Sequence, residues 1–261
     1  MITSKVLGCR IKYFRKRSKM SQFDLENEIG ASAGVISRIE SGKVNPTKET
    51  IREIAKTLKL NNRELDYLIG VTALPPSEEE IRLAIEQVKP YFQKASTFAY
   101  LIDERWRLLA YSKGIERLLS GLKDSPEVLE RSIGKSMVEV IFGKKNKLKG
   151  RFFSSNYYNN PFQKYQLSRY KQEVAFMVDD ESFLSTLETI NNDTNLSKTW
   201  RQLEKELINT NSVEGKTTFI KILGIEVKLI YSREPLPSMP RFETIEIFPT
   251  NKLLKLLKRL V

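Results

Sequence analysis

Histidine is missing from the 261-residue sequence, and cysteine occurs once, as Cys9. The first absence removes the His-containing catalytic triad, the imidazole metal site and the histidine pH switch. The second removes an intramolecular disulfide and a thiolate zinc cluster. There is no run of about 18 uncharged apolar residues, so no membrane span is expected. The N-terminal stretch MITSKVLGCRIKYFRKRSK lacks the apolar core and small-residue cleavage site of a secretory signal. Glycine-rich phosphate loops are lacking too, and Asp103, Asp179, Asp180 and Glu181 read as turn and helix-capping residues rather than as an acid–base pair. These absences point to a reduced, globular, cytoplasmic protein with no metal, no cofactor and no catalytic residues. What is abundant is positive charge. Forty-four Lys+Arg against 32 Asp+Glu leave +12, and nucleic acid, an anionic lipid surface or solubility alone are the candidates that answer it.

The charge is unevenly spread. Residues 1–70 hold 14 Lys+Arg and 8 Asp+Glu, net +6, whereas residues 71–261 reach the same +6 with 30 and 24. The break falls at Val71-Thr72-Ala73-Leu74-Pro75-Pro76-Ser77, where two prolines disfavour helix and Ser77 before Glu78-Glu79-Glu80 is an N-cap with an acidic first turn. A hinge and linker helix are therefore expected over 71–94, between a first domain over 1–70 and a second over 95–250.

In the first domain, Val6, Leu7, Ile11 and Phe14 fall at helical spacing, with Arg10, Lys12, Arg15, Lys16 and Arg17 on and around the other face. Ser21 caps a short helix closed by Gly30, and Ser32 caps another through Val35, Ile36 and Ile39. Pro46-Thr47 and Asn61-Asn62 start two more. Helix, short helix, tight glycine turn, short helix is the arrangement of a DNA-binding helix-turn-helix.

Ser21-Gln22-x-x-Leu25, Gly30, Ser32-x-x-x-Ile36-Ser37-Arg38-Ile39-Glu40-x-Gly42-Lys43 and Asn45-Pro46-x-x-x-Thr50-Ile51 closely resemble the phage-repressor-like (Cro/cI, Xre) helix-turn-helix family. The resemblance implies an all-α five-helix domain that lays its third helix in the major groove of double-stranded DNA. Carried across, it places Gln22 and the N-terminus of the second helix on a phosphate. It turns Ala33, Gly34, Ser37 and Arg38 toward the bases, with Lys43, Asn45 and Lys48 near the backbone, and counts Ser32 among the DNA-binding residues. Gln22 also reads as a surface residue helping the cap, and Arg38 as a solvated arginine. Arg15 and Glu40 occupy positions that pair in relatives. Two departures stand out. Glu26 replaces the usual alanine, so its carboxylate is expected to turn outward or find a cation. Ala33 and Gly34 provide almost no side chain, which leaves readout to Arg38, Ser37, thymine-methyl contact and DNA shape, and favours a homodimer on two half-sites.

Beyond the hinge, Ile81, Leu83, Ala84, Ile85, Val88 and Phe92 mark an amphipathic helix that connects the domains or pairs with its copy. Strand-like runs at 97–102 and 106–111 flank the turn Asp103-Glu104-Arg105. Helical segments follow at about 113–121, 126–132, 134–142, 161–176, 180–191 and 195–208, and strands at 217–223, 227–232 and 242–248. Two strands, helices, then three strands make the whole α+β and give the second domain a PAS-like order, a five-stranded antiparallel sheet with helices on one face. Ala99-Tyr100-Leu101-Ile102-Asp103-x-x-Trp106-x-Leu108-Leu109-Ala110-Tyr111, Val140-Ile141-Phe142, Leu196-x-x-x-Trp200, Gly215-Lys216-Thr217 and Leu223-Gly224 resemble the MmyB-like ligand-binding domain. That resemblance implies a sensor pocket for an apolar or lipid-like small molecule. Phe98, Tyr100, Trp106, Tyr111, Phe142, Phe176 and Trp200 are its candidate lining, although aromatics at strand and helix spacing more often pack as ordinary core. The basic stretch 143–151 reads as a solvated loop or a contact to flanking DNA. The leucine-rich amphipathic helix at 251–261 packs on the second domain, makes a dimer contact or lies on a membrane surface. Taken together the sequence describes a ligand-sensing, dimeric, DNA-binding transcriptional regulator. A constitutive repressor whose second domain only dimerises is the alternative, with a carrier or enzyme further behind.

Overall fold

The computed structural model describes residues 3–71, 74–120, 125–143, 161–203, 217–222 and 225–250. Most of the basic stretch after Gly143 and the C-terminal helix at 251–261 lie outside the described residues. The chain divides into two compact units, residues 1–75 with Phe176–Val178, and residues 76–175 with 179–261.

The first unit is built from five helices, α1 Ser4–Arg17, α2 Gln22–Glu28, α3 Val35–Glu40, α4 Lys48–Thr57 and α5 Asn62–Ile69. Local chemistry sets their ends. Thr3 and Thr47 cap α1 and α4 through their hydroxyls, and Ser21/Asp24 and Asn61/Glu64 form reciprocal capping boxes on α2 and α5. Each such cap contributes about 0.5–2 kcal/mol. Gly70, at φ +91°, ends α5 in the left-handed conformation that glycine adopts without a Cβ penalty. The apolar stripes meet in a core of Ile11, Phe14, Leu25, Ile36, Ile39, Ile54, Tyr67 and Leu68, all essentially inaccessible to water.

Helix α1 lies unusually close to α3. A Cβ on Gly8 would stand 2.4 Å from the Ile39 carbonyl oxygen, so only glycine admits this approach. Arg10, placed on the basic face by the sequence, is instead buried. Its Nη1 donates to the Tyr67 carbonyl at 2.7 Å and its guanidinium lies 3.7 Å from the centre of the Tyr67 ring, so this arginine joins α1 to α5.

The second unit opens with α6, Glu78–Phe92, capped by the Ser77/Glu80 box. Strands β1 Ala99–Asp103 and β2 Leu108–Tyr111 follow, then α7 Lys113–Ser120, α8 Ser125–Glu130 and α9 Met137–Phe142. After these come α10 Pro161–Glu173, α11 Glu181–Asn191, α12 Thr194–Gln202, and β3 Thr217–Ile222, β4 Ile225–Leu236 and β5 Met239–Pro249. The five strands make one antiparallel sheet in the order β2-β1-β5-β4-β3. The last two strands are longer than their apolar runs, because Arg233-Glu234-Pro235 still pair with β5 across Ile245-Thr244-Glu243.

Strand alternation separates the two faces of this sheet. Ala99, Leu101, Leu109 and Phe242 pack with Ala84, Val88 and Phe92 of α6 in one apolar cluster. Tyr100, Ile245 and Arg233, which stand opposite one another in register, belong to the other face. There α10 engages the sheet, with Gln166 donating to the Tyr231 hydroxyl at 2.7 Å and Glu173 pairing with Arg233 at 3.0 Å.

Candidate functional site

The geometry of the first unit centres on one buried carboxylate. Glu40, the last residue of α3, accepts two hydrogen bonds from the Arg15 guanidinium of α1, at 2.6 and 2.9 Å, and a third from Gln22 Nε2 of α2, at 2.7 Å. The remaining Arg15 Nη1 donates to the Met20 carbonyl at 2.7 Å. The bond to Glu40 holds the Arg15 pKa above its ordinary value despite burial, which acts the other way. Gln22 is therefore engaged inside the unit, half-buried, with its amide nitrogen on Glu40. Three helices converge on Glu40, and the orientation of α3 is fixed through it.

A second carboxylate acts on the other end of α3. Glu26 turns inward and is buried, and its Oε1 accepts from the Ile36 backbone N–H at 2.9 Å. This corrects the outward or cation-paired carboxylate expected from the sequence. The physical reason lies in the turn before α3. Gly34 is the N-cap, at φ +79°, and has no side chain with which to cap. Ser32, expected to cap, offers its backbone carbonyl to Val35. The helix begins with orphan donors, and the long side chain at position 26 reaches one of them.

On the outer surface, Ser32, Ala33, Gly34, Ser37 and Arg38 are all exposed, as are Lys43, Asn45 and Lys48 just beyond α3. A Cβ built on Gly34 meets no atom of the chain within 4 Å. The exposed residues of α3 and its preceding turn form a continuous polar strip backed by Ile36, Ile39 and Glu40. The basic side chains of Arg38, Lys43 and Lys48 give it the sign that attracts phosphate. Phe23, beside Gln22 on α2, is 64% exposed and stands out as an apolar side chain there.

Six of the seven aromatic candidates lie in the second unit, where they are dispersed. Trp106 and Trp200 both pack on Tyr170, with ring centres 5.5 and 6.3 Å away, and Phe183 stacks on the same ring at 6.4 Å. Tyr100 lies on the face that carries Arg233, and burial pushes its phenol up to about 12. Phe98 precedes β1, where its carbonyl accepts from Ile247 N–H, and Phe142 is buried at the end of α9. Tyr111 borders an open groove of about 650 Å³ that runs beside α6, with Ile81, Ile85, Val88, Phe92 and Ala110 at its apolar wall and the charged Glu78, Arg82, Glu86, Lys89, Lys113 and Glu116 also lining it. Phe176 sits in the first unit, edge-on to Tyr67.

Sequence reasoning missed the charge buried beside these aromatics. Asp103-Glu104-Arg105, read only as a turn, is almost wholly inaccessible. Arg105 pairs with Glu104 and, at 2.6 Å, with Asp180, the N-cap of α11. Asp103 Oδ1 accepts from the backbone of Arg105 and Arg107, which holds Trp106 at a left-handed φ of +62°. Trp106 Nε1 then donates to Glu173 at 3.0 Å, and Arg233 lies 4.9 Å from the Trp106 ring centre while pairing with both Glu173 and Glu243. Burial alone would lower the Arg233 pKa, but those two carboxylates override it and raise it. The alternating charges of 103–107 carry no periodic signal that distinguishes such a knot from a solvated turn.

Among the described residues no group of three or more Cys, Asp or Glu could hold a metal ion, and no helix is long and apolar enough to cross a membrane. A family model described as helix-turn-helix matches residues 11–65. The HTH-type transcriptional repressor RghR of Bacillus subtilis (strain 168) is 32% identical over 108 residues, which span 39% of this chain and 78% of that repressor.

Proposed function

Because the chain belongs to the helix-turn-helix family of DNA-binding transcriptional regulators, we propose that it is a sequence-specific regulator that reads duplex DNA with α3. The observation that carries the reading is the exposed strip Ser37-Arg38 on a helix whose buried side is locked by Arg15, Gln22 and Glu40. A rigidly held helix with a polar outer face is what groove recognition requires. Arg38 reads a guanine edge through its fork of donors, and Lys43, Asn45 and Lys48 hold the backbone. Gln22, whose amide nitrogen is occupied, presents its remaining amide hydrogen or its oxygen. With Ala33 and Gly34 contributing shape more than hydrogen bonds, two copies acting on two half-sites provide the selectivity.

Duplex affinity measured against salt for wild type and Arg38→Ala tests this. On the protein's own promoter the substitution is expected to weaken binding by about 10- to 100-fold, the loss of one bidentate base contact of about 1–3 kcal/mol. An unrelated duplex should lose less, since phosphate contacts remain. No change on the promoter sinks the assigned reading mode.

The second unit is read as a PAS-like, MmyB-like sensor in a cytoplasmic homodimer. Its chain order of two strands, helices and three strands supports this, as does a groove within the size range of small-molecule sites. An apolar ligand would lie against Tyr111 and the α6 side chains. It regulates only by binding two conformations unequally. Native mass spectrometry of the purified protein, paired with solvent extraction, is expected to find a dimer carrying an apolar molecule. A dimer with nothing extractable favours the constitutive repressor instead.

A further inference from the structure

The turn between α2 and α3 sets the angle at which α3 leaves the unit, and its own residues provide little to set it with. Two glycines in the left-handed conformation bracket it, Gly30 at φ +65° and Gly34 at φ +79°. Ser32, Ala33 and Gly34 are exposed, and Gly34, the N-cap of α3, has no side chain with which to bond the helix start. Glycine at each end leaves the backbone free to adopt other conformations. Helix α3 is only six residues long, Val35–Glu40, so its first turn makes up about half of it. Arg38 is the first residue of α3 whose N–H bonds within the helix, to the Gly34 carbonyl at 3.1 Å.

One residue of α2 grips both ends of this turn. The Glu26 main-chain carbonyl accepts from the Ala31 N–H at 2.9 Å, where the chain leaves α2 past Gly30. Its carboxylate accepts from the Ile36 N–H, also at 2.9 Å, where α3 begins. Glu26 is 5% exposed and Ile36 0%, so water competes little for the second bond. A buried carboxylate is costly unless it is compensated. Glu40, at the far end of α3, is compensated by the Arg15 guanidinium. Among the described residues no cation pairs with Glu26. What offsets its charge is the start of α3 itself, an N–H donor together with the positive end of the helix dipole.

We propose that Glu26 is a positioning residue for sequence readout, a clamp on the turn that keeps Ser37 and Arg38, the two residues after Ile36, in helical register against the bases. The proposal rests on the reading of α3 as the DNA-contacting helix. With the bond to Ile36 lost, Ser37 and Arg38 lie in a frayed first turn, while Glu40 still holds the other end of α3. Lys43, Asn45 and Lys48 follow that held end and keep their approach to phosphate. Phosphate contacts set general affinity and base contacts set sequence preference. Loss of the clamp therefore removes preference for the operator and leaves affinity for unrelated duplex in place.

The test compares full-chain wild type with Glu26→Gln, whose amide oxygen can accept from Ile36, and with Glu26→Met and Glu26→Ala, which cannot; Met also fills the space. Amide exchange resolved by NMR without DNA is the first readout. At Ile36 and Ser37 it should speed by at least about tenfold in Glu26→Met and Glu26→Ala and stay within about threefold of wild type in Glu26→Gln. Duplex titrations follow, at a temperature where helical circular dichroism shows the proteins folded. The ratio of affinity for the protein's own promoter to that for an unrelated duplex should fall about tenfold in Glu26→Met and Glu26→Ala and change by less than about twofold in Glu26→Gln. A general loss of stability would weaken both duplexes together and would not be rescued by Gln. If exchange at Ile36 stays as in wild type when the acceptor is removed, the clamp is refuted. If exchange speeds and the ratio holds, its role in readout is refuted. If Glu26→Gln behaves like Glu26→Met, the charge acts and not the accepted bond, which also overturns the proposal. Exchange needs no DNA, so wild-type protein that does not prefer its promoter overturns the proposed function separately from the clamp.

Discussion

Replacing Glu40 with alanine is expected to remove about 3–5 kcal/mol from the first unit, the usual cost of stranding one member of a buried ion pair. Arg15 and Glu40 keep only 8% and 4% of their side-chain surface accessible, so water cannot take over the charge that is left behind. In Glu40→Ala the Arg15 guanidinium retains the Met20 carbonyl, and Gln22 loses its acceptor. For a unit of this size the loss amounts to a fall in unfolding temperature of more than about 10 °C. Helical circular dichroism should detect it as an early transition. Tryptophan fluorescence should not, since Trp106 and Trp200 both lie in the second unit. The double replacement Arg15→Met/Glu40→Leu, which removes both charges and keeps apolar volume, should recover most of the stability. If the single variant melts with wild type, Glu40 is not the junction of the three helices.

The counterpart in the second unit is Arg105→Met, with an expected loss of about 3–5 kcal/mol on the same ground. Arg105 is fully inaccessible, and two carboxylates depend on it. Asp180 keeps the backbone N–H groups of Ser182 and Phe183, and Glu104 keeps Arg241. Burial already holds the Glu104 carboxyl above the usual range, with Arg241 among the charges opposing that shift. Without Arg105 it should rise further. A carboxylic acid whose folded pKa exceeds its unfolded value favours the folded state as pH falls, because the folded form binds the proton more tightly. The deficit of Arg105→Met relative to wild type should therefore be larger at pH 7 than at pH 5. Fluorescence of the adjacent Trp106 during urea unfolding measures both values, and a deficit independent of pH would show that Glu104 does not carry it.

The five helices of the first unit were legible because their signals are local. Ser21, Thr47 and Asn61 act within three residues of themselves, and the apolar positions of α1 and α4 repeat at helical spacing. The pair Arg15–Glu40 was legible only by resemblance. What escaped notice depends on distant neighbours. Gly8 looks like a weak point in a helix until the Ile39 carbonyl is placed beside it. Glu26 looks misplaced until Gly34 leaves a helix start uncapped. In the second unit the order of strands and helices followed from turn residues and alternation, and the ends of β4 and β5 did not, since Pro235 and Glu243 pair by virtue of the sheet rather than their propensity. Phe176 followed a helical run and read as part of it, but α10 ends at Glu173. No local pattern in 174–179 reports that its partner is Tyr67.

The bare surface at Ala33 and Gly34 also bears on how such a protein changes its target over generations. Residues that build the head, Arg15, Glu26 and Glu40, are buried, whereas Gly34 faces open space on the outer strip. A side chain acquired there displaces nothing, and its cost is the left-handed backbone alone, about 1–2 kcal/mol and least for asparagine or aspartate. If α3 reads DNA as proposed, position 34 is a vacant letter in its recognition alphabet, and a duplicated copy would take on a different operator by a single substitution while inheriting an unaltered scaffold.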